Sequence, residues 1–158
     1  MIEQQHLVQL MTRELATTLK VMRAYPGDKP DFRAHERSNS ALQLFGTFVI
    51  ELSIIEGAFA GAIDQEKMKY MPENLKQGIE DFEKADAKVI ELVKNASKER
   101  YEKVGDFFGM KMSAADVAEF MLLDQVHHRG QLSVYVRMAG GKVPSIYGPS
   151  ADEPFTTK

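Results

Sequence analysis

An acid and a histidine stand one helical turn apart near the C-terminal end of the sequence. Asp124 and His128 are four positions apart, so on a helix their side chains can meet on one face. The same face carries Val117 and Met121 at helical spacing, which marks it as a core face. A carboxylate and an imidazole are costly to bury unless they bond to each other, to a metal ion or to ordered water. This pair is therefore the main candidate for chemistry.

A second acid lies within the most apolar segment of the chain. Positions 38–61 are predicted to form a helix that is apolar on nearly every side, and such a helix is buried on more than one side. Glu51 falls in the middle of this helix. A buried acid needs a partner, so we expect Glu51 to face another polar group inside the fold.

Polar side chains continue the candidate face toward the end of the last helix. Gln131 and Tyr135 follow His128 on this face and are predicted to line any pocket there. The glycine pair at 140–141 ends the helix, so the segment 143–147 is predicted to fold back as a lid over that pocket.

Three basic neighbours are predicted to lie off this face. His127 is about 100° away from His128 around the helix, where it faces a neighbouring helix or solvent. Arg129 and Arg137 are predicted to lie outside the core and to anchor the tail or the preceding loop through carboxylates or carbonyls.

The elements that carry these residues read as long helices. Apolar residues at helical spacing predict four of them, over 2–24, 38–61, 73–95 and 113–139. The connections are long, and Val104–Met112 is predicted to be extended or a hairpin because glycines flank its two phenylalanines. The pattern predicts an all-α four-helix bundle with long connections. We expect a single domain over 1–148 and a tail over 149–158, with the order of the helices left open.

Composition narrows the classes of function. At 158 residues, 44% of them hydrophobic, the chain can bury one core. A net charge of −3 without a basic tract argues against nucleic acid as a partner, and the absence of cysteine excludes disulfides and thiol nucleophiles. Glu51 and Glu56 interrupt the longest apolar segment, so no membrane span is expected. The N-terminus lacks a signal-peptide pattern, and the expected location is cytoplasmic.

One run of residues resembles a known family. The last predicted helix and the segment after it contain His127-His128-Arg129-Gly130-Gln131-Leu132, Tyr135-Val136-Arg137, Val143-Pro144 and Tyr147-Gly148. This run resembles the last-helix signature of the DinB-like superfamily of four-helix bundles, which are often metal-binding. The resemblance implies that fold, and a metal site built from three histidines of the second and last helices.

This sequence matches only part of that expected site. His128 stands where the signature has its last histidine, but Asp124 occupies the position one turn earlier. The second-helix position falls near Gly46 or Thr47, and Glu51 lies one turn beyond Thr47. One expectation is an altered site in which His128, Asp124 and Glu51 bind one divalent iron, manganese, nickel or zinc ion. The other is that no metal binds and that Asp124 and His128 form a buried polar pair, bonded to each other or to backbone.

The sequence leaves two functions open. The resemblance implies a metal-dependent enzyme, a transferase or hydrolase similar to thiol S-transferases, which takes a small-molecule or thiol substrate. The alternative is a non-catalytic, metal-free bundle that binds a small apolar ligand or acts as an interaction protein. The apolar second helix and Phe107-Phe108 predict a homodimer, which is compatible with either function.

Overall fold

The computed structural model describes residues 1–154, so the last four residues of the predicted tail lie outside the described residues. It contains five α-helices, a short 3₁₀ turn at Lys67–Lys69 and one β-hairpin. The helices are α1 (Gln4–Ala24), α2 (Ala41–Ala60), α3 (Leu75–Lys94), α4 (Lys98–Glu102) and α5 (Ala114–Met138). The strands are β1 (Val104–Phe107) and β2 (Met110–Ser113), paired antiparallel.

Side-chain caps explain where the helices begin. Ser40 starts α2 and Ser113 starts α5, each in a reciprocal capping box with the residue three positions later. Asn74 caps α3, which begins at Leu75 and not at the predicted position 73, and Pro72 lies before the helix and packs close to Gly46. The pyrrolidine ring therefore fills space between α2 and the start of α3.

The four long helices pack in a non-sequential order. Helices α1 and α2 each contact both α3 and α5, and they lie diagonally across the bundle from each other. Helix α1 runs antiparallel to α3, since Gln4 donates to the carbonyl of Val93 near the end of α3. Helix α2 runs antiparallel to α5, since Tyr135 donates to the carbonyl of Asn39 just before α2. The long connections allow this arrangement.

Helix α2 forms the centre of the core. Phe45, Phe48, Leu52 and Ile55 are fully or almost fully buried. By length and composition α2 is the one helix among residues 1–154 that could cross a membrane, but 61% of its apolar window is buried inside the bundle. The core helix of a soluble protein has the same properties, so burial against α3 and α5 accounts for its apolar character.

The segment between α4 and α5 is the predicted hairpin. Phe107 is buried, while Phe108 at the turn is exposed and has a positive φ of 48°. Gly109 follows with φ of 83°, a conformation that glycine adopts without strain. The hairpin leads directly into the N-terminus of α5.

Candidate metal centre

The antiparallel contact between α2 and α5 brings the three candidate residues together. Glu51, Asp124 and His128 each offer one ligand atom, and these atoms lie within 4.8 Å of one another. The His128 Nε2 atom is 3.6 Å from Glu51 Oε1 and 3.7 Å from Asp124 Oδ1. One imidazole and two carboxylates therefore converge on a common point.

A buried amide fixes the register of the two helices beside this point. Gln125 Nε2 donates to the carbonyl of Phe48 at 3.1 Å, and Gln125 is 1% exposed. Gln125 follows Asp124 directly, and Phe48 lies one turn before Glu51. Because a buried hydrogen bond to the backbone resists sliding, this bond holds Glu51 at the level of Asp124.

Glu51 is buried without a hydrogen-bond donor from the rest of the fold. Its residue is 2% exposed, and within residues 1–154 neither carboxylate oxygen accepts a hydrogen bond. Burial, followed by the charge of Asp124 and by hydrogen bonding with the Asp124 carboxylate, raises the pKa of Glu51 to about 10. An unpaired polar group inside a protein is expensive. A cation between Glu51, Asp124 and His128 would supply the missing partner, so the donor set fits a metal ion.

The second nitrogen of His128 is also oriented. His128 Nδ1 lies 3.0 Å from Gln131 Oε1, and Gln131 Nε2 lies 3.1 Å from His127 Nε2. An amide oxygen only accepts, so Nδ1 of His128 donates, and the lone pair of the neutral ring is on Nε2. That tautomer is the one a metal ligand needs. His127 is exposed and supports Gln131 from outside the triad.

Asp124 and His128 do not form a direct hydrogen bond with each other. The closest Asp124–His128 approach of 3.7 Å is too long for a hydrogen bond. The Asp124 side chain is 41% exposed, whereas that of Glu51 is 3% exposed. The triad is thus closed on the Glu51 side and open to solvent on the Asp124 side.

A cavity of about 490 Å³ adjoins His128. Gln131 and Tyr135 line it, as do residues of the connection before α2. No carboxylate lines this cavity, and it contains one formal charge, the exposed Arg37. Within residues 1–154 Arg37 forms no ion pair with an acid. The cavity is therefore suited to a small anionic molecule.

The comparison with known proteins decides the family. The sequence model of the DinB family matches residues 1–157 of this chain. This chain belongs to the DinB family. A DinB-like protein from Bacillus cereus shares the fold with a TM-score of 0.78 at 21% identity, covering 90% of this chain and 97% of that one. The DinB-like protein YjoA from Bacillus subtilis has a TM-score of 0.71 at 17% identity, covering 87% and 94%.

A further relative matches over a short segment. The uncharacterized protein YrdA from Bacillus subtilis is 44% identical over 48 residues, which are 30% of this chain and 29% of YrdA. The match thus spans less than a third of that relative. The predicted DinB-like family and helical-bundle fold are confirmed by the family match and the solved DinB-like structures, while the metal and binding roles of the site residues stay predictions.

One prediction for the DinB last helix was wrong. Arg129 does not lie off the core face: it is 1% exposed and bonds Glu14 of α1. Its Nη2 atom is 2.8 Å from Glu14 Oε2, and its Nη1 atom donates to the Glu14 carbonyl at 3.0 Å. Helix α5 packs against α1 as well as α2, so its buried arc is wider than the one face centred on His128.

The segment after α5 folds back, but not as the predicted lid. Tyr147 bonds both Arg129 and Glu14, and Lys20 donates to the carbonyl of Ser145 at 3.2 Å. These contacts hold the segment on the α1 side of α5, whereas the cavity beside His128 opens on the α2 side. The hydrogen bond with buried Arg129 keeps Tyr147 away from the cavity. Arg129 therefore does anchor the tail, as predicted, through its bond with Tyr147.

Arg137 anchors the tail from the surface, as predicted. Its Nη2 atom is 2.6 Å from Asp152 Oδ2, and Asp152 also accepts from the backbone of Val143 at 2.8 Å. Sequence reasoning missed Gln125 and Arg37. Gln125 had a signal, a lone amide one position after Asp124, whereas the placement of Arg37 depends on the folding of a long connection.

Proposed function

We propose that this DinB-family protein is a metal-dependent enzyme, a transferase or hydrolase acting on a small molecule, and that Glu51, Asp124 and His128 hold its metal ion. The observation that carries the proposal is the buried Glu51 carboxylate without a hydrogen-bond donor, aimed at Asp124 and His128. A structure that needed Glu51 only for packing would provide a donor or an apolar residue.

The donor set favours some metals over others. Two carboxylates and one imidazole suit iron and manganese, while zinc and nickel also accept imidazole with oxygen ligands. Three protein ligands leave room for further ligands on the open Asp124 side. When bound, such a metal supplies Lewis-acid chemistry, because it lowers the pKa of a water or thiol that it holds.

The cavity supports a substrate class. Arg37 offers a guanidinium fork to an anionic group, and Gln131 and Tyr135 offer polar atoms between it and His128. We propose an anionic small molecule; the thiol class rests on the resemblance to thiol S-transferases. The ordinary globular composition supports a cytoplasmic location.

Elemental analysis of the untagged protein tests the metal. We expect about one equivalent of a transition metal, or its uptake after reconstitution with iron, manganese, nickel or zinc. The variants His128→Ala and Glu51→Gln should lose it, because the first removes a ligand and the second replaces a charged ligand by a weaker neutral one. The matched control is His6→Ala, an exposed histidine in α1, which should retain it. A wild-type protein that takes up none of the four metals contradicts the proposal.

A second measurement tests the cavity. Calorimetric titration of the metal-loaded protein with mercaptosuccinate, a thiol with two carboxylates, should give binding that Arg37→Met weakens. The uncharged thiol 2-mercaptoethanol should bind equally to both proteins. Equal binding of mercaptosuccinate by both proteins would exclude Arg37 as the anion contact and leave the metal proposal intact.

A small cavity with several apolar side chains in its wall supports a second candidate function, the metal-free binding of an apolar ligand. This cavity of about 80 Å³ lies between the end of α2, the hairpin and the start of α5. Ile63, Phe107, Met112 and Val117 line part of it, together with the charged residues Lys103 and Asp106. A protein without metal that binds a small hydrocarbon, and loses this binding in Val117→Phe, would favour this function.

A further inference from the structure

The solvent-facing side of α5 is apolar along most of its length. Its exposed residues alternate at spacings of three and four, the spacing of a helix seam. Phe120, Leu123 and Val134 are 46%, 61% and 53% exposed, and His127 and Gly130 lie between them. We call these five residues the α5 seam. Gln131 is also exposed, and Asp124, whose side chain is 41% exposed, carries a fixed charge beside the seam.

Helix α3 provides the internal comparison. Its exposed side carries Lys76, Glu80, Lys84, Lys88 and Glu91, as expected for a helix that faces water. Both helices contact α1 and α2, and both present one side outward. The α5 seam therefore does not follow from position in the bundle. An apolar strip of this length on a soluble protein usually marks an interface.

The hairpin extends the apolar surface at one end of the seam. Phe107 contacts Phe120 and Phe108 with ring centroids 6.1 and 4.9 Å apart. Phe108 is 63% exposed, and its φ of 48° is costly for a residue with a bulky side chain. A hairpin turn in water favours asparagine or glycine at such a position. An exposed, strained phenylalanine is explained if another molecule covers it.

We infer that a second copy of this chain covers the α5 seam, with the two α5 helices packed antiparallel about a two-fold axis. In this arrangement Leu123 faces Val134 of the second copy, and His127 faces Gly130. Nothing lies within 4 Å of a Cβ built at Gly130. That open space accommodates the imidazole of His127 from the second copy.

Charge at the two ends of α5 favours the same arrangement. Asp116 and Glu119 lie at its N-terminal end, while Arg137, which also pairs with Asp152, and Lys142 lie at its C-terminal end. An antiparallel pair brings opposite charges and opposite ends of the helix dipoles together. A parallel pair would place like charges side by side. A membrane is a poor alternative, because no cluster of lysine and arginine flanks the seam.

The inferred interface adjoins the cavity beside His128. Val134 belongs both to the seam and to the wall of that cavity. The second copy would thus form part of the rim of the cavity, and two cavities would open beside one interface. The interface itself depends on no property of the metal centre.

The oligomeric state of wild-type protein and seam variants tests this inference. Light scattering at micromolar concentration should give twice the chain mass of 17.8 kDa. The variants Leu123→Glu and Val134→Lys should each be monomeric, because each buries two unpaired charges at the interface. The double variant should recover the dimer, since each glutamate then faces a lysine of the second copy. Met71→Glu, an exposed methionine outside the seam, should remain dimeric.

Each failure has a definite meaning. A monomeric wild-type protein overturns the inference, and so do single variants that remain dimeric. If both single variants are monomeric and the double variant is too, the antiparallel register is wrong. All substituted side chains are exposed in the monomer, so the far-UV circular dichroism of every variant should keep the wild-type helical signal and confirm that the variants fold.

Discussion

Two glutamates of the bundle are almost equally exposed to solvent, but their surroundings shift their pKa values in opposite directions. Glu14 and Glu51 are 3% and 2% exposed. Burial alone would raise the pKa of Glu14, but hydrogen bonds from Tyr147, Arg129 and Arg13 outweigh it and lower that pKa. Glu51 has no such donors among residues 1–154, and its pKa is raised to about 10. The chain satisfies one buried carboxylate with donors, whereas Glu51 faces only Asp124 and His128, which supports its place in the proposed metal site.

A third carboxylate yields a prediction about pH. Asp86 of α3 has one buried oxygen without a partner in residues 1–154, and burial, followed by the charge of Glu83, raises its pKa to about 6 from 3.8. The pKa of Asp86 is higher in the folded than in the unfolded protein, so its ionisation destabilises the fold. This loss of stability is absent below pH 3.8 and complete above about pH 6. Asp86→Asn should therefore raise the free energy of unfolding at neutral pH by about 1–3 kcal/mol.

Urea unfolding at neutral pH and near pH 3.8 would measure this gain, which should vanish on acidification. The matched control is Asp81→Asn on the same helix. The Tyr70 hydroxyl donates to Asp81 and lowers its pKa, so Asp81 stabilises the fold above its unfolded pKa and its replacement should be destabilising at neutral pH. Equal signs for the two variants would contradict the assignment.

At the scale of elements, the end of α2 depends on the absence of one side chain. A Cβ at Gly57 would lie 2.8 Å from the Cα atom of Ile63 and 2.9 Å from the carbonyl oxygen of Ala62. The chain turns back tightly here, and both the Gly61 and Ala62 amides donate to the Gly57 carbonyl. Gly57→Ala should cost about 1–3 kcal/mol of unfolding free energy, because backbone must move to admit a methyl group.

The opposite effect is expected where a helical glycine meets open space. Gly130→Ala should stabilise the folded monomer by up to about 1 kcal/mol, since alanine is the better helix former. Leu123→Glu should be the background for this comparison, so that the inferred dimer does not contribute. Urea unfolding of both variants gives the two values. A Gly57→Ala protein as stable as wild type would show that the turn after α2 adapts freely.

Local patterns predicted the elements well because each depends on neighbours in sequence. Ser113 with Asp116, and the glycines around Phe107 and Phe108, define a helix start and a hairpin within a few residues. The sequence also predicted that Glu51 lies near His128, because each is an ionisable residue on an otherwise apolar helix face. The burial of Arg129 was missed because a helical wheel contains one helix, whereas α5 has two buried sides.

At the scale of the whole molecule, α5 connects two polar centres on opposite sides. Its α2 side holds Asp124 and His128 against Glu51, and its α1 side holds Arg129 against Glu14. This division exists because α1 and α2 lie diagonally and each reaches α5 separately. The sequence alone could not predict this arrangement, because the long connections permit more than one order of the helices in the bundle. Adjacent residues, His128 and Arg129, thus belong to different interfaces.

The two centres should be separable by substitution. Tyr147→Phe removes the hydroxyl that bonds Glu14 and Arg129, and the loss should cost about 1–2 kcal/mol. Amide hydrogen exchange should speed up over 143–153, where Asp152 and Glu153 accept from the backbone of Val143 and Ser145. Metal content should not change, because this segment lies on the α1 side. Glu51→Gln should do the reverse, with loss of metal and unchanged exchange in the tail. If Tyr147→Phe also removed the metal, the two sides of α5 would be coupled, and the route would be the backbone between His128 and Arg129.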